Sequence, residues 1–173
     1  GYRSVAVGEV AGQTSQGNYA TASGLGAARY NQGESAVAVG HDAGNTSQGN
    51  YATAVGANAG QTTQGEQCTA VGHRAGEADQ GHYAVAVGRL AGRFNQGDSA
   101  IAIGNNAGLT NLGSGSIEIN ATGTANGETA AGRTYILPTR DLHTTSGTAL
   151  GMTPQNELAR FTQHMRFDST RTV

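Results

Sequence analysis

Three tyrosines, Tyr19, Tyr51 and Tyr83, recur every 32 residues, beside Asn18, Asn50 and His82 respectively. An aromatic face with a neighbouring amide can stack on a sugar, so a column of such pairs could grip a polysaccharide. The same rings could instead cover the rim of a thin core or fill space between subunits, their hydroxyls left wet. Arg74 and Arg93 belong, with Arg29, Arg89, Tyr30 and Phe94, to positions whose residue type changes along the chain. Variable turn positions are where recognition is written. Tyr19, Tyr51, Tyr83, Arg74 and Arg93 are therefore the candidate ligand-binding residues.

Catalytic constellations fail on spacing. In a chain of stacked strands, as argued below, His41 and His73 lie two strands apart, about 9–10 Å. One metal needs its histidine nitrogens within about 2 Å. A threefold axis could gather three copies of one of these histidines into a metal or anion site; otherwise they are solvated turn residues. Asp42 beside His41 is only a pair. The acids Glu9, Glu34, Glu66, Glu77, Asp79 and Asp98 are dispersed, so no facing carboxylates and no Ser-His-Asp set can be assembled. No glycine is followed by the Lys and helix that a phosphate loop requires. The single cysteine, Cys68, has no thiol partner in the chain and reads as an Ala-sized packing residue. The expectation is a non-enzymatic protein without catalytic residues, metal or cofactor.

Composition narrows the class further. The 173 residues carry a net charge of −2, and the ten basic residues are all Arg, set against twelve acids. That leaves no basic field for a phosphate backbone, so nucleic acid is not an expected partner. No apolar run reaches even ten residues, which excludes a membrane-spanning helix and predicts no membrane insertion. With 28 Gly, three Phe and no Trp, a broad globular core cannot be filled. The interior must be thin, repeated or shared between chains.

A repeat supplies the framework. Glycine recurs at Gly1, Gly17, Gly33, Gly49, Gly65, Gly81, Gly97 and Gly113, a period of 16 without insertion or deletion. Numbering each unit from that glycine, place 8 is again Gly through Gly104, place 11 is Ala through Ala107, and place 16 is Gln through Gln96. Such self-similarity marks a solenoid. Alternation in Ala36-Val37-Ala38-Val39 and Ala100-Ile101-Ala102-Ile103 predicts a short strand over places 4–7. A weaker strand in the second half closes the coil, and glycines at places 1, 8 and 12 are expected at positive-φ corners. The β-branched places 5 and 7 are the expected interior, and the Ala-rich places 4 and 6 the expected outer face. An outward stripe of tiny residues suits close packing on a symmetric partner. The Gln column either forms an amide ladder along the axis or consists of tolerated polar turn residues.

The segments Ser4-Val5-Ala6-Val7-Gly8, Ala36-Val37-Ala38-Val39-Gly40 and Ala100-Ile101-Ala102-Ile103-Gly104 resemble the head repeats of trimeric autotransporter adhesins of the YadA type, over residues 1–120. The array is also similar to repeat regions of viral and phage-type fibre proteins. In those fibres a strand-and-hairpin section precedes a cleaved endosialidase-type chaperone; here Ile136–Arg140 and Ala149–Leu158 resemble that section. The resemblance implies a left-handed parallel β-roll and a homotrimer, in which Ala36, Ala38, Ala52, Ala84 and Ala100 would be the trimer-packing residues. It further implies an extracellular, cell-surface or virion fibre head or adhesin that attaches to a cell-surface polysaccharide or receptor.

The expected fold is therefore all-β: a parallel β-roll solenoid of 16-residue coils over residues 1–128, then a small β cap over 129–173. Glu118 and Asn120 break the pattern in the eighth coil and are expected to end the stacking. A strand is predicted around Thr134–Leu137. Residues 149–162 read either as a hairpin, which the resemblance favours, or as a helix capped by Thr153 with Leu158, Phe161 and Met165 on one face. The last eight residues, 166–173, read as a frayed or processed end, and a start without Met or a secretory segment suggests a fragment or processed product. Two rival functions remain. An ice-binding solenoid would want an unbroken Thr column, and Thr14, Thr46, Thr62 and Thr110 are interrupted by Tyr30, Ala78 and Phe94. A polysaccharide-degrading spike would want carboxylates facing each other across a groove.

Overall fold

The structure is a computed structural model that describes residues 1–125, 130–137, 148–152 and 158–162. Strands alternate along the chain as β1 (Val5–Val7), β2 (Thr14–Gln16), β3 (Thr21–Ser23), β4 (Tyr30–Gln32), β5 (Val37–Val39) and β6 (Thr46–Gln48). The alternation continues through β7 (Thr53–Val55), β8 (Thr62–Gln64), β9 (Thr69–Val71), β10 (Ala78–Gln80), β11 (Val85–Val87), β12 (Phe94–Gln96) and β13 (Ile101–Ile103). β14 (Ile117–Asn120), β15 (Thr134–Leu137), β16 (Thr148–Met152) and β17 (Leu158–Thr162) follow. The described residues are all-β and contain no helix.

The 16-residue period becomes the strand register. Val37 pairs with Thr53, Thr53 with Thr69, and Val85 with Ile101, all in parallel, so every place stacks on itself. Places 5–7 build a nine-stranded sheet, β1-β3-β5-β7-β9-β11-β13-β14-β15, and places 14–16 a six-stranded sheet, β2-β4-β6-β8-β10-β12. Each coil gives one strand to each sheet, and two glycine-bearing corners join them. This is a parallel β-solenoid of about eight coils.

The interior is the reverse of the expected one. Ala36, Ala38, Ala52, Ala84 and Ala100 are fully buried inside the coils, while the place-11 alanines from Ala27 to Ala107 are buried there as expected. The β-branched residues of places 5 and 7 point outward. The cause is volume. A Cβ added at Gly60 would lie 2.8 Å from the Gln64 side chain, and one at Gly76 would lie 3.3 Å from the Ala70 methyl. A coil with two three-residue strands and that spacing accepts methyl groups and one amide, not isopropyl groups. The five alanines therefore cannot be the trimer-packing surface: they are core.

The amide column fills what remains. Gln48 Nε2 donates to Gln64 Oε1 at 3.1 Å, and Gln64 Nε2 to Gln80 Oε1 at 3.1 Å; Gln32 and Gln80 continue the ladder at 3.2 Å. Each Nε2 also reaches across to the opposite strand, as Gln64 does to the Thr53 carbonyl at 3.0 Å. The ladder is real, and it crosslinks the two sheets from within. It ends at Leu112, a buried apolar residue in the same column.

Corners require particular backbones. At place 8, Gly56 has φ +126°, and a Cβ there would sit 2.6 Å from the Gly72 carbonyl oxygen. Place 1 differs from expectation. Gly49 needs no positive φ; a Cβ there would meet the Gly65 carbonyl at 2.6 Å, so close stacking is what demands glycine.

Stacking also runs further than expected. Sheet pairing does not stop at Glu118 and Asn120: β15 adds beside β14, Glu118 opposite Tyr135, with a register step one residue longer. The compact unit accordingly covers Gly1–Pro138, beyond the expected limit at 128, and a second unit covers Thr139–Val173. In that second unit β16 and β17 pair antiparallel, Ala149 with Phe161, which is the hairpin rather than the helix. Residues 166–173 lie outside the described residues.

Candidate interaction surfaces

The two sheets present unlike outer faces. Places 14 and 15 of the six-stranded sheet show mostly Thr, Ser, Asn and Asp to solvent, with Tyr30, Ala78 and Phe94 interspersed at place 14. Places 5 and 7 of the nine-stranded sheet carry Val, Ile, Thr and Ser with no charged residue from Val5 to Ile119. Along place 7, Val71 and Val87 are 36% exposed, Ile103 and Ile119 39%, and Ile136 47%. Because equivalent residues stack at about 4.8 Å, the face is a flat apolar strip of roughly 38 Å by 10 Å. That area, about 400 Å², is of the size of the largest apolar patch on a typical monomer, which is often functional. Residue type alone pointed these side chains inward, since Val and Ile rank among the most buried residues. The missed signal was the Gln column, which already occupies an interior that Val would overfill.

Tyr19, Tyr51 and Tyr83 lie on the corner before that sheet, at place 3, with φ of +59°, +58° and +60°. They are 51%, 57% and 56% exposed, so within one chain they do not seal the core. The turn around them is tied from coil to coil. Tyr51 N–H donates to the Glu34 carbonyl at 2.8 Å, and Tyr83 N–H to the Glu66 carbonyl at 3.0 Å. Side chains of place 2 reinforce it: Asn50 Oδ1 accepts from Glu34 N–H at 2.9 Å, and Asp98 Oδ1 from His82 N–H at 2.8 Å.

Arg74 and Arg93 are not brought to the tyrosines. Their places, 10 and 13, follow the strand that places 2 and 3 precede, so they stand at its opposite end. Arg93 is engaged already: it pairs with Glu77 and its guanidinium lies 4.3 Å from the Phe94 ring centroid. Arg74 is half-buried, and its Nε has no hydrogen-bond partner. Of the histidines, His41 makes a 3.4 Å contact with Asp42, and His41 and His73 are both exposed. Among the described residues no three His, Cys, Asp or Glu side chains gather as a metal group would require.

Cys68 stands in the column of Ala52 and Ala84 and is buried with them. Its Sγ donates to the Gly81 carbonyl at 2.6 Å. Burial pushes its thiol above the ordinary value of 9.0, partly offset by backbone hydrogen bonds, so the thiolate is disfavoured. Glu118 is also buried, at an Ala place; one carboxylate oxygen accepts from Asn120 Nδ2 at 3.3 Å and the other has no partner. No helix among the described residues is long and apolar enough to cross a membrane. No family model, curated protein or solved structure matches the chain.

Proposed function

We propose that this chain is a subunit of a non-enzymatic, homotrimeric fibre head or adhesin, with left-handed coils, that attaches to cell-surface glycans from the outside of a cell or virion. The supporting observation is the apolar strip of places 5 and 7, on one sheet only. A solenoid with one mostly polar face and one uncharged, Val/Ile-rich face is half of an interface. Copies standing side by side would match column to column, because both carry the same spacing along the axis. The threefold arrangement is what the resemblance to adhesin heads implies, now with Val71, Val87, Ile103 and Ile119 at the seam instead of the alanines. Three copies would turn weak single contacts into useful avidity.

Attachment is tested by probing a broad glycan array and intact cells with the labelled chain. Retention on a defined set of glycans supports the reading, and retention on neither cells nor array overturns it. The rival is a solitary solenoid whose strip, with Thr21, Thr53 and Thr69 among its valines, lies free as an ice-binding face. Freezing-point hysteresis from a monomer would favour that reading instead.

A further inference from the structure

The tyrosine corner carries a second period, twice that of the coil. Places 2 and 3 read Asn18-Tyr19, Glu34-Ser35, Asn50-Tyr51, Glu66-Gln67, His82-Tyr83 and Asp98-Ser99. An aromatic ring therefore alternates with a carboxylate along the axis. The geometry points to a binding edge for a neutral, extended, β-linked polysaccharide lying along the coil axis, formed by Tyr19, Glu34, Tyr51, Glu66, Tyr83 and Asp98. This rests on the attachment reading and names the ligand class for it.

Three observations converge. First, the tyrosines remain more than half exposed, on a left-handed turn backbone that Ser35, Gln67 and Ser99 share at the same place, so the coil sets that backbone and the rings are left free above it. Second, equivalent tyrosines two coils apart are separated by about 9.6 Å. That is close to the length of a disaccharide in an extended β-linked chain, so each ring would meet the same face of every second sugar. Third, Glu34, Glu66 and Asp98 are exposed at the coils between the rings, where carboxylates accept hydrogen bonds from hydroxyls. In the first coil the same places hold Tyr2, edge-on to Tyr19 with centroids 6.1 Å apart, and Arg3; against that single Arg stand Glu34, Glu66 and Asp98, so sulfated or sialylated chains would be repelled along the rest of the columns. The corner is preorganised, since stacked backbone bonds and Asn50 Nδ2 to Glu66 Oε1 at 3.4 Å hold it before any ligand arrives.

The test is calorimetric titration of the intact chain with cello-oligosaccharides and chito-oligosaccharides of two to six sugars, and with heparin and polysialic acid. Affinity is expected to rise in steps of two sugars, with neither anionic polymer binding. Tyr51→Asn supplies the decisive variant, because Asn suits the left-handed backbone and leaves the fold intact. It should keep or raise the urea midpoint while hexasaccharide affinity falls about tenfold, the loss of one aromatic contact. Glu66→Gln should weaken binding less. Wild-type affinity in Tyr51→Asn, a preference for the anionic polymers, or no binding to any oligosaccharide would overturn the proposal. Failure here with glycans still retained on the array would remove this site and leave the attachment reading standing.

Discussion

Replacing Gln64 by Leu tests whether the amide ladder, and not the alanine methyls alone, holds the two sheets together. Leu112 shows that this column accepts Leu without leaving the interior. Gln64→Leu removes three hydrogen bonds: to Thr53, to Gln80 and from Gln48. Gln48 Nε2 keeps the Val37 and Ala52 carbonyls, but Gln80 Oε1 loses its donor and is left buried and unpaired. Gln96→Leu is the matched control. It also removes three bonds, to Val85, to Ala100 and from Gln80, yet Gln80 Nε2 retains Thr69 and Ala84, so no side-chain atom is orphaned. The net hydrogen-bond loss and the apolar gain of Leu are similar in both. The difference is one unsatisfied acceptor, about 1–3 kcal/mol. At a urea slope of about 2 kcal/mol per M, Gln64→Leu should unfold roughly 0.5–1.5 M earlier than Gln96→Leu. Urea titration followed by far-ultraviolet circular dichroism measures this. Equal midpoints, or a more stable Gln64→Leu, would refute the ladder as a structural element.

Gly56→Ala should destabilise by more than about 3 kcal/mol, because its Cβ would lie 2.6 Å from the Gly72 carbonyl at φ +126°. Gly115→Ala, with open space at φ +66°, should cost only about 1 kcal/mol on the same urea assay. Cys68 should resist a thiol reagent at pH 8 in the folded chain and react on unfolding; fast reaction of the native protein would contradict its burial. Its raised folded value also fixes a sign. Above pH 9.0 the unfolded thiol loses its proton while the folded one keeps it, so stability should fall as pH rises past that value. Cys68→Ala should abolish that part of the slope, measured as urea midpoint against pH. Val71→Asp with Val87→Asp should preserve the β spectrum, since both side chains point out of the coil, and should lower the assembled mass on light scattering.

The period in the sequence specified the register, because parallel strands joined by constant-length coils can pair in only one way. Place 16 was legible as a possible ladder since identical amides stack wherever identical positions do, and Gln48 to Gln64 does so. The choice of inner face was not legible from residue type. A hydrophobicity ranking buries Val37 and Val39 before Ala36 and Ala38, whereas the coil sorts by volume once a Gln amide shares its interior. Nor was the end of the stack legible. Glu118 and Asn120 break the side-chain pattern, but β14 still offers unpaired backbone groups at its edge, and Thr134–Leu137 takes them. At the candidate site the tyrosine column could be read directly. That Arg74 and Arg93 stand at the other end of the strand followed only from where the corners fall.

The most direct test of the central claim is the mass of the chain in solution, by light scattering before and after heating in detergent. A species of three times 17.4 kDa, falling to 17.4 kDa only on heating, is the result expected if two further copies cover the Val/Ile strip. A stable 17.4 kDa monomer before heating would contradict it, leaving the strip open to solvent and the solenoid to act alone.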